Sequence, residues 1–181
     1  IERIILGAVS NSRIVGIYSV VSVFPTFIKN SLKNLINVPT VKLAVYREKD
    51  NRTIIKKGIG FIAIFGVIVF IIFWFLTPIL IKFFFKIEDY NIIRYGRLLL
   101  IPLLFMPIDL TIKYMSSYQG SGKSYLKLSS ATDIIRLALI AILTPLFKIN
   151  GIIMALIFGE FLSFIVLGTW FIRTNKKMGI K

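Results

Sequence analysis

The sequence predicts an all-α, polytopic bundle of transmembrane helices, on three observations. Ile59 to Ile81 is a run of 23 residues with no charged side chain. At 1.5 Å per residue such a helix is roughly 34 Å long, enough to cross a hydrocarbon layer of about 30 Å. Hydrophobic residues make up 56% of the 181, and charged ones only 17%, which leaves too little polar material to cover a water-soluble globule. Finally, apolar stretches of spanning length recur along the whole chain, separated by short basic segments.

Taken in order, residues 1–9 read as the tail of an earlier span. Full crossings are expected over residues 14–38, 58–81, 98–118, 128–147 and 151–172, giving five. Between them lie loops over 39–57, 82–97 and 119–127, a tight turn at Lys148–Asn150, and a short tail after Arg173. Residues 40–50 alternate Val41, Leu43, Ala44 and Val45 with Lys42, Arg47 and Lys49, a pattern that fits a short interfacial helix. The chain opens within an apolar stretch, without an initiator Met, so residues 1–181 read as a fragment of something longer.

Net charge is +15, from 23 Lys and Arg against 8 Asp and Glu. The basic residues gather between spans, where membrane topology and anionic headgroups account for them, so nucleic acid is not an expected partner and membrane lipids are. Twelve Lys and Arg fall on the side holding the first loop, the third loop and the tail, against seven on the other side. That imbalance places the C-terminus in the cytoplasm, in a multi-pass protein of the cell membrane.

Several chemistries are excluded. Cys and His are both absent, so there is no disulfide, thiolate nucleophile, catalytic triad base or His-bearing metal site, and no cofactor is expected. Gly120-Ser121-Gly122-Lys123-Ser124 imitates the end of a phosphate-binding P-loop, but Ser117 stands where the motif needs its first Gly. A strand should also precede such a loop, and here a membrane helix does. Glu88 and Asp89 beside Lys86 read as a solvated turn.

The informative residues are ionisable groups that the spans cannot avoid. Ile14 to Ile28 gives only 15 uncharged residues, roughly 22 Å of helix, so the first crossing must carry Lys29 into the membrane, with Lys33 one turn further on. Asp109 and Lys113 lie four apart in the third span, Asp133 and Arg136 three apart in the fourth, and Glu160 midway along the fifth. Each Asp, Lys or Arg near a helix centre costs about 2.5–3.5 kcal/mol on insertion scales, so these groups should face protein or water. Two readings stay open. One is a polar interior cavity; the other is self-neutralised pairs, Asp109/Lys113 and Asp133/Arg136, that only tie helices together. Pro25, Pro102, Pro107 and Pro145 free backbone carbonyls within or beside the spans and favour bends, with Pro102 and Pro107 close to Asp109. Gly151, Ala155, Gly159 and Ser163 form a small-residue stripe for close helix approach.

The order of short motifs resembles a known family. Glu2-Arg3-Ile4-Ile5-Leu6-Gly7, Val15-Gly16-Ile17-Tyr18-Ser19 and Pro39 ahead of the basic stretch ending at Arg52 look like the start of the C-terminal half of polysaccharide-biosynthesis flippases. Thr77-Pro78-Ile79-Leu80, Tyr90, Gly122-Lys123 and Pro145 followed by Asn150-Gly151-Ile152 are similarly placed. The resemblance covers essentially the whole chain and is to the O-antigen and capsule exporter branch of the multidrug/oligosaccharidyl-lipid/polysaccharide exporter superfamily. It implies one lobe of a two-lobe exporter, with the N-terminal lobe as a missing partner. It also implies movement of a lipid-linked oligosaccharide of polyprenyl pyrophosphate type by alternating access, without enzymatic chemistry. On that reading Lys29, Lys33, Lys113 and Arg136 are the substrate-binding candidates, and Asp109, Asp133 and Glu160 the coupling-ion candidates. The alternatives are a cation-coupled multidrug antiporter of the same superfamily and a non-transporting membrane assembly subunit.

Overall fold

A computed structural model describes residues 2–48, 52–118 and 122–177. Every regular element within them is helical: α1 (Glu2–Val9), α2 (Ser12–Glu48), α3 (Arg52–Phe85), α4 (Tyr90–Leu98), a 3₁₀ turn (Ile101–Leu104), α5 (Met106–Tyr118), α6 (Gly122–Phe147) and α7 (Ile149–Lys177). Five segments are long and apolar enough to cross a membrane: Ser12–Lys42, Lys57–Phe85, Tyr90–Ser117, Gly122–Phe147 and Ile149–Thr174. The protein is a multi-pass, all-α membrane bundle.

The crossings agree with the sequence in number and differ in bounds. The third begins at Tyr90 instead of residue 98, because the Asp89 side chain accepts a hydrogen bond from the Asn91 N–H (2.8 Å) and caps a helix where charged residues suggest a loop. The expected 82–97 loop thus shrinks to the four residues between α3 and α4. That crossing is also broken, its α-helices α4 and α5 separated by the 3₁₀ turn that carries Pro102. Helix α6 begins at Gly122 and not near 128, since Lys123 and Lys127 ride on its first turns. No separate interfacial helix forms over 40–50. Instead α2 runs through Pro39 to Glu48, and the Thr40 hydroxyl bonds to the Ile36 carbonyl (2.8 Å); residues 49 and 50 lie outside the described residues. Gly120 and Ser121 of the P-loop-like string also lie outside them, and Gly122, Lys123 and Ser124 open α6.

Helix ends explain the tight turns. Lys86 (φ 54°) and Lys148 (φ 52°) are left-handed residues just past α3 and α6, their N–H groups bonding back to the carbonyls of Lys82 (3.0 Å) and Thr144 (2.8 Å). From the last turn of α3, Lys82 Nζ reaches Glu88 Oε1 at 2.7 Å. That hydrogen bond, then the lysine charge, holds the Glu88 carboxyl below its ordinary range. The α6–α7 hairpin closes on Lys148 alone, and Gly151 is required there: a Cβ at that position would sit 2.0 Å from the Leu143 carbonyl oxygen.

Packing sorts the helices into inner and outer members. Exposed Phe61, Ile64, Ile68, Ile71, Ile72, Phe75 and Ile79 recur at helical spacing along α3, an apolar stripe suited to lipid. Its other face packs on α2 and on the broken crossing through Ile62, Ile28, Leu32, Ile36, Leu100, Leu103 and Met106. Toward the end of the bundle that holds the start of α2, Leu6 of α1 and Tyr18 and Val21 of α2 join Ile81, Ile92, Leu99, Ile149 and Ile152. A smaller cluster, Ile112, Tyr125 and Leu167, links α5, α6 and α7 near the other end.

Pro78 shows how an interior charge is retained. Lacking an N–H, it leaves the Trp74 carbonyl four residues earlier without its helical partner. Arg97 Nε on α4 donates to that oxygen at 3.2 Å, and the guanidinium lies 5.8 Å from the centre of the Trp74 ring. Arg97, expected in a loop, is therefore an element of the packed bundle.

Candidate functional site

Four helices each offer polar side chains at spacings of three or four residues. These are Lys29 and Lys33 on α2, Asp109 and Lys113 on α5, Tyr125, Ser129, Asp133 and Arg136 on α6, and Glu160 and Ser163 on α7. Such spacings place each set on one helical face. All of these residues line a single open cavity of about 230 Å³, with Met106, Leu110 and Leu167 as apolar parts of its wall. The seven ionisable residues singled out from insertion cost are thus brought together.

Within the cavity, Arg136 is the hub. Its Nη1 donates to Glu160 Oε1 across the α6–α7 interface at 2.8 Å, and its Nη2 to Asp133 Oδ1 on its own helix at 2.7 Å. A planar guanidinium offers each carboxylate its own nitrogen in a rigid fork, where a lysine would have to serve both from one ammonium nitrogen. The same Glu160 oxygen lies 3.7 Å from Lys29 Nζ, so one carboxylate ties α2, α6 and α7 together. Glu160 is the more enclosed partner, 13% exposed against 52% for Lys29. Gly159 makes room for the hub, since a Cβ there would fall 2.6 Å from Arg136 Cγ.

The self-neutralising reading holds for one pair and fails for the other. Asp133 and Arg136 do pair, with Glu160 added. Asp109 does not bond to Lys113; its Oδ2 accepts from Ser163 Oγ at 3.3 Å, and its buried Oδ1 has no hydrogen-bond partner. Ser163 accordingly does more than the close packing expected of the small-residue stripe. Among the described residues, Lys33 and Lys113 form no ion pair. Four cations and three carboxylates line the cavity, and the two unpaired cations are lysines.

Lys29 and Glu160 also line a second hollow of about 200 Å³ between α1, α2, the 3₁₀ turn and α7. Here the Tyr18 hydroxyl bonds to Glu2 Oε2, and Arg3 Nη2 donates to Ser22 Oγ at 3.2 Å. Tyr18, Ser22, Lys29 and Lys33 share one face of α2, and fifteen residues at 1.5 Å make that polar stripe roughly 22 Å long. The two hollows therefore follow one another along α2 and meet at the Lys29–Glu160 pair. No site role is assigned from sequence to Glu2, Arg3, Tyr18, Ser22, Tyr125 or Ser129, although Glu2, Arg3 and Tyr18 lie in the motifs that carry the resemblance. The signal for Ser22, Tyr125 and Ser129 was their spacing of seven, eight and four from a charged residue on the same helix face.

A wider hollow of about 410 Å³ at the loop end is lined by Ile14, Asp89, Asn91, Tyr95, Lys148 and Asn150 among others. Asp89 is already engaged there as the cap of α4. Among the described residues no group of acidic side chains is arranged to hold a metal ion. Comparison with protein-family models, with curated proteins and with solved structures finds no match to this chain.

Proposed function

We propose that this chain is one lobe of a membrane transporter that moves a lipid-linked oligosaccharide across the cell membrane by alternating access, its pyrophosphate resting in the cavity between α2, α5, α6 and α7. The observation that carries the reading is the convergence of seven ionisable residues from four spanning helices on one cavity, with Lys33 and Lys113 left unpaired. A polyanionic headgroup crossing hydrocarbon needs charge compensation along its route, and two free ammonium groups beside an arginine hub supply it. The polyprenyl tail stays in lipid, and an opposing lobe, as in the flippases that the sequence resembles, completes the cavity. Nothing in this reading requires a bond to be made or broken, so the protein acts as a carrier and not as an enzyme. The excess of Lys and Arg on the side of the first loop and tail puts the C-terminus in the cytoplasm.

The test is export of the lipid-linked glycan in cells that carry the full-length, two-lobe protein. Lys29→Ala, and the double change Lys33→Ala with Lys113→Ala, should each lower export at least about tenfold while protein abundance and membrane insertion stay at wild-type levels. Normal export by both variants would refute the reading. A second reading, cation-coupled antiport of drugs, is favoured by one observation, the buried Asp109 oxygen that has no hydrogen-bond partner. It demands that Asp109→Asn abolish drug resistance while the lysine changes leave it intact.

A further inference from the structure

Glu160 occupies the position that an incoming anion would want. It sits at the junction of the two hollows, and its Oε1 is shared by Lys29 Nζ at 3.7 Å and Arg136 Nη1 at 2.8 Å. It is the most enclosed carboxylate of the ion-paired set, and it comes from a different helix than either cation. We infer that Glu160 is a built-in competing anion that sets the charge selectivity of the cavity, admitting polyanions such as pyrophosphate and rejecting monoanions. The inference rests on the anion-carrying reading above and adds to it the rule of entry.

The reason is electrostatic. A monoanion can meet Lys33 or Lys113 alone, but to draw on Lys29 and Arg136 as well it must displace Glu160, exchanging one carboxylate-like charge for another and leaving Glu160 unpaired at membrane depth, where an uncompensated charge is costly. The exchange has little to drive it. A ligand with two or more negative charges behaves differently, because it can engage Lys33 and Lys113, which have no carboxylate to lose, and still draw on Lys29 and Arg136. Asp133 remains on the second arm of the guanidinium at 2.7 Å, so Arg136 stays oriented while Glu160 lets go. Release of Glu160 also frees α7 from its ion pairs to α2 and α6, coupling occupancy to the packing of three helices. Specificity of this kind comes from a penalty placed on the wrong ligand as much as from attraction to the right one.

The experiment measures binding of radiolabelled pyrophosphate and of acetate to the purified full chain in lipid nanodiscs, for wild type and for Glu160→Gln. Wild type should bind pyrophosphate and bind acetate at least about a hundredfold more weakly. Glu160→Gln should tighten both, acetate by about tenfold more than pyrophosphate, so that the selectivity narrows by that factor. Unchanged selectivity, or weaker pyrophosphate binding in the glutamine variant, overturns the inference. Glu160→Asp, which keeps the charge and shortens the reach, should retain wild-type selectivity and guards against misreading a folding defect. If neither wild type nor Glu160→Gln binds pyrophosphate, the proposed function falls with the inference. If wild type binds it through Lys33 and Lys113 and Glu160→Gln changes nothing, only the inference falls.

Discussion

At the scale of single residues, the site depends on a glycine as much as on its charges. Gly159 lies on α7 where any Cβ would press on Arg136 Cβ, Cγ and Cδ at 3.0 Å or less. Gly159→Val should push the guanidinium off Glu160 and destabilise the bundle by about 1–3 kcal/mol, the usual cost of overpacking. Gly168 on the same helix has nothing within 4 Å of its missing Cβ. Gly168→Ala should therefore be at least as stable as wild type, with a gain of up to about 1 kcal/mol from helix propensity. Thermal unfolding of both variants in detergent checks the contrast, and equal stabilities would show that Arg136 is not held in place by the gap at residue 159.

At the scale of elements, the broken third crossing shapes the cavity wall. The 3₁₀ turn between α4 and α5 lets α5 start at Met106 on a new course, and Pro107 then packs into the notch at Gly66 of α3. A Cβ at Gly66 would come 2.5 Å from Pro107 Cγ, an atom of a ring fixed by its own backbone. Asp109 stands two residues beyond that contact, so the α3–α5 approach positions the cavity's least satisfied carboxylate. Gly66→Leu should force the two helices apart, lower stability by about 1–3 kcal/mol and weaken anion binding although residue 66 does not line the cavity. Measuring unfolding and pyrophosphate binding on the same preparation separates this from a local packing defect, which would leave binding untouched.

At the scale of the whole molecule, the bundle presents an apolar outer face and a polar inner one at the same depth. Because the chain has no cysteine, single-Cys variants report on that division without a background. Lys33→Cys and Lys113→Cys, on the cavity wall, should react with a membrane-impermeant thiol reagent. Ile68→Cys and Ile72→Cys, on the exposed stripe of α3, should not, since water does not reach them through lipid. Equal labelling of the two sets would mean that the charged residues do not line a wet passage.

The number of crossings, and the identities of the ionisable residues they carry, were legible in the sequence. Hydrophobic length and the cost of burying a charge are properties of a short stretch of chain, whatever packs against it. The helix limits were less so: Asp89, Arg97, Lys123 and Lys127 look like loop residues until a cap, a proline-freed carbonyl or a helix end gives each a place. Only the tertiary structure decided the partnerships. Arg136 finds Glu160 24 residues away and Ser163 finds Asp109 at a separation of 54, while the nearby Lys113 leaves Asp109 alone. Such pairings follow from how each helix is rotated about its axis against its neighbours, which local hydrophobicity does not encode.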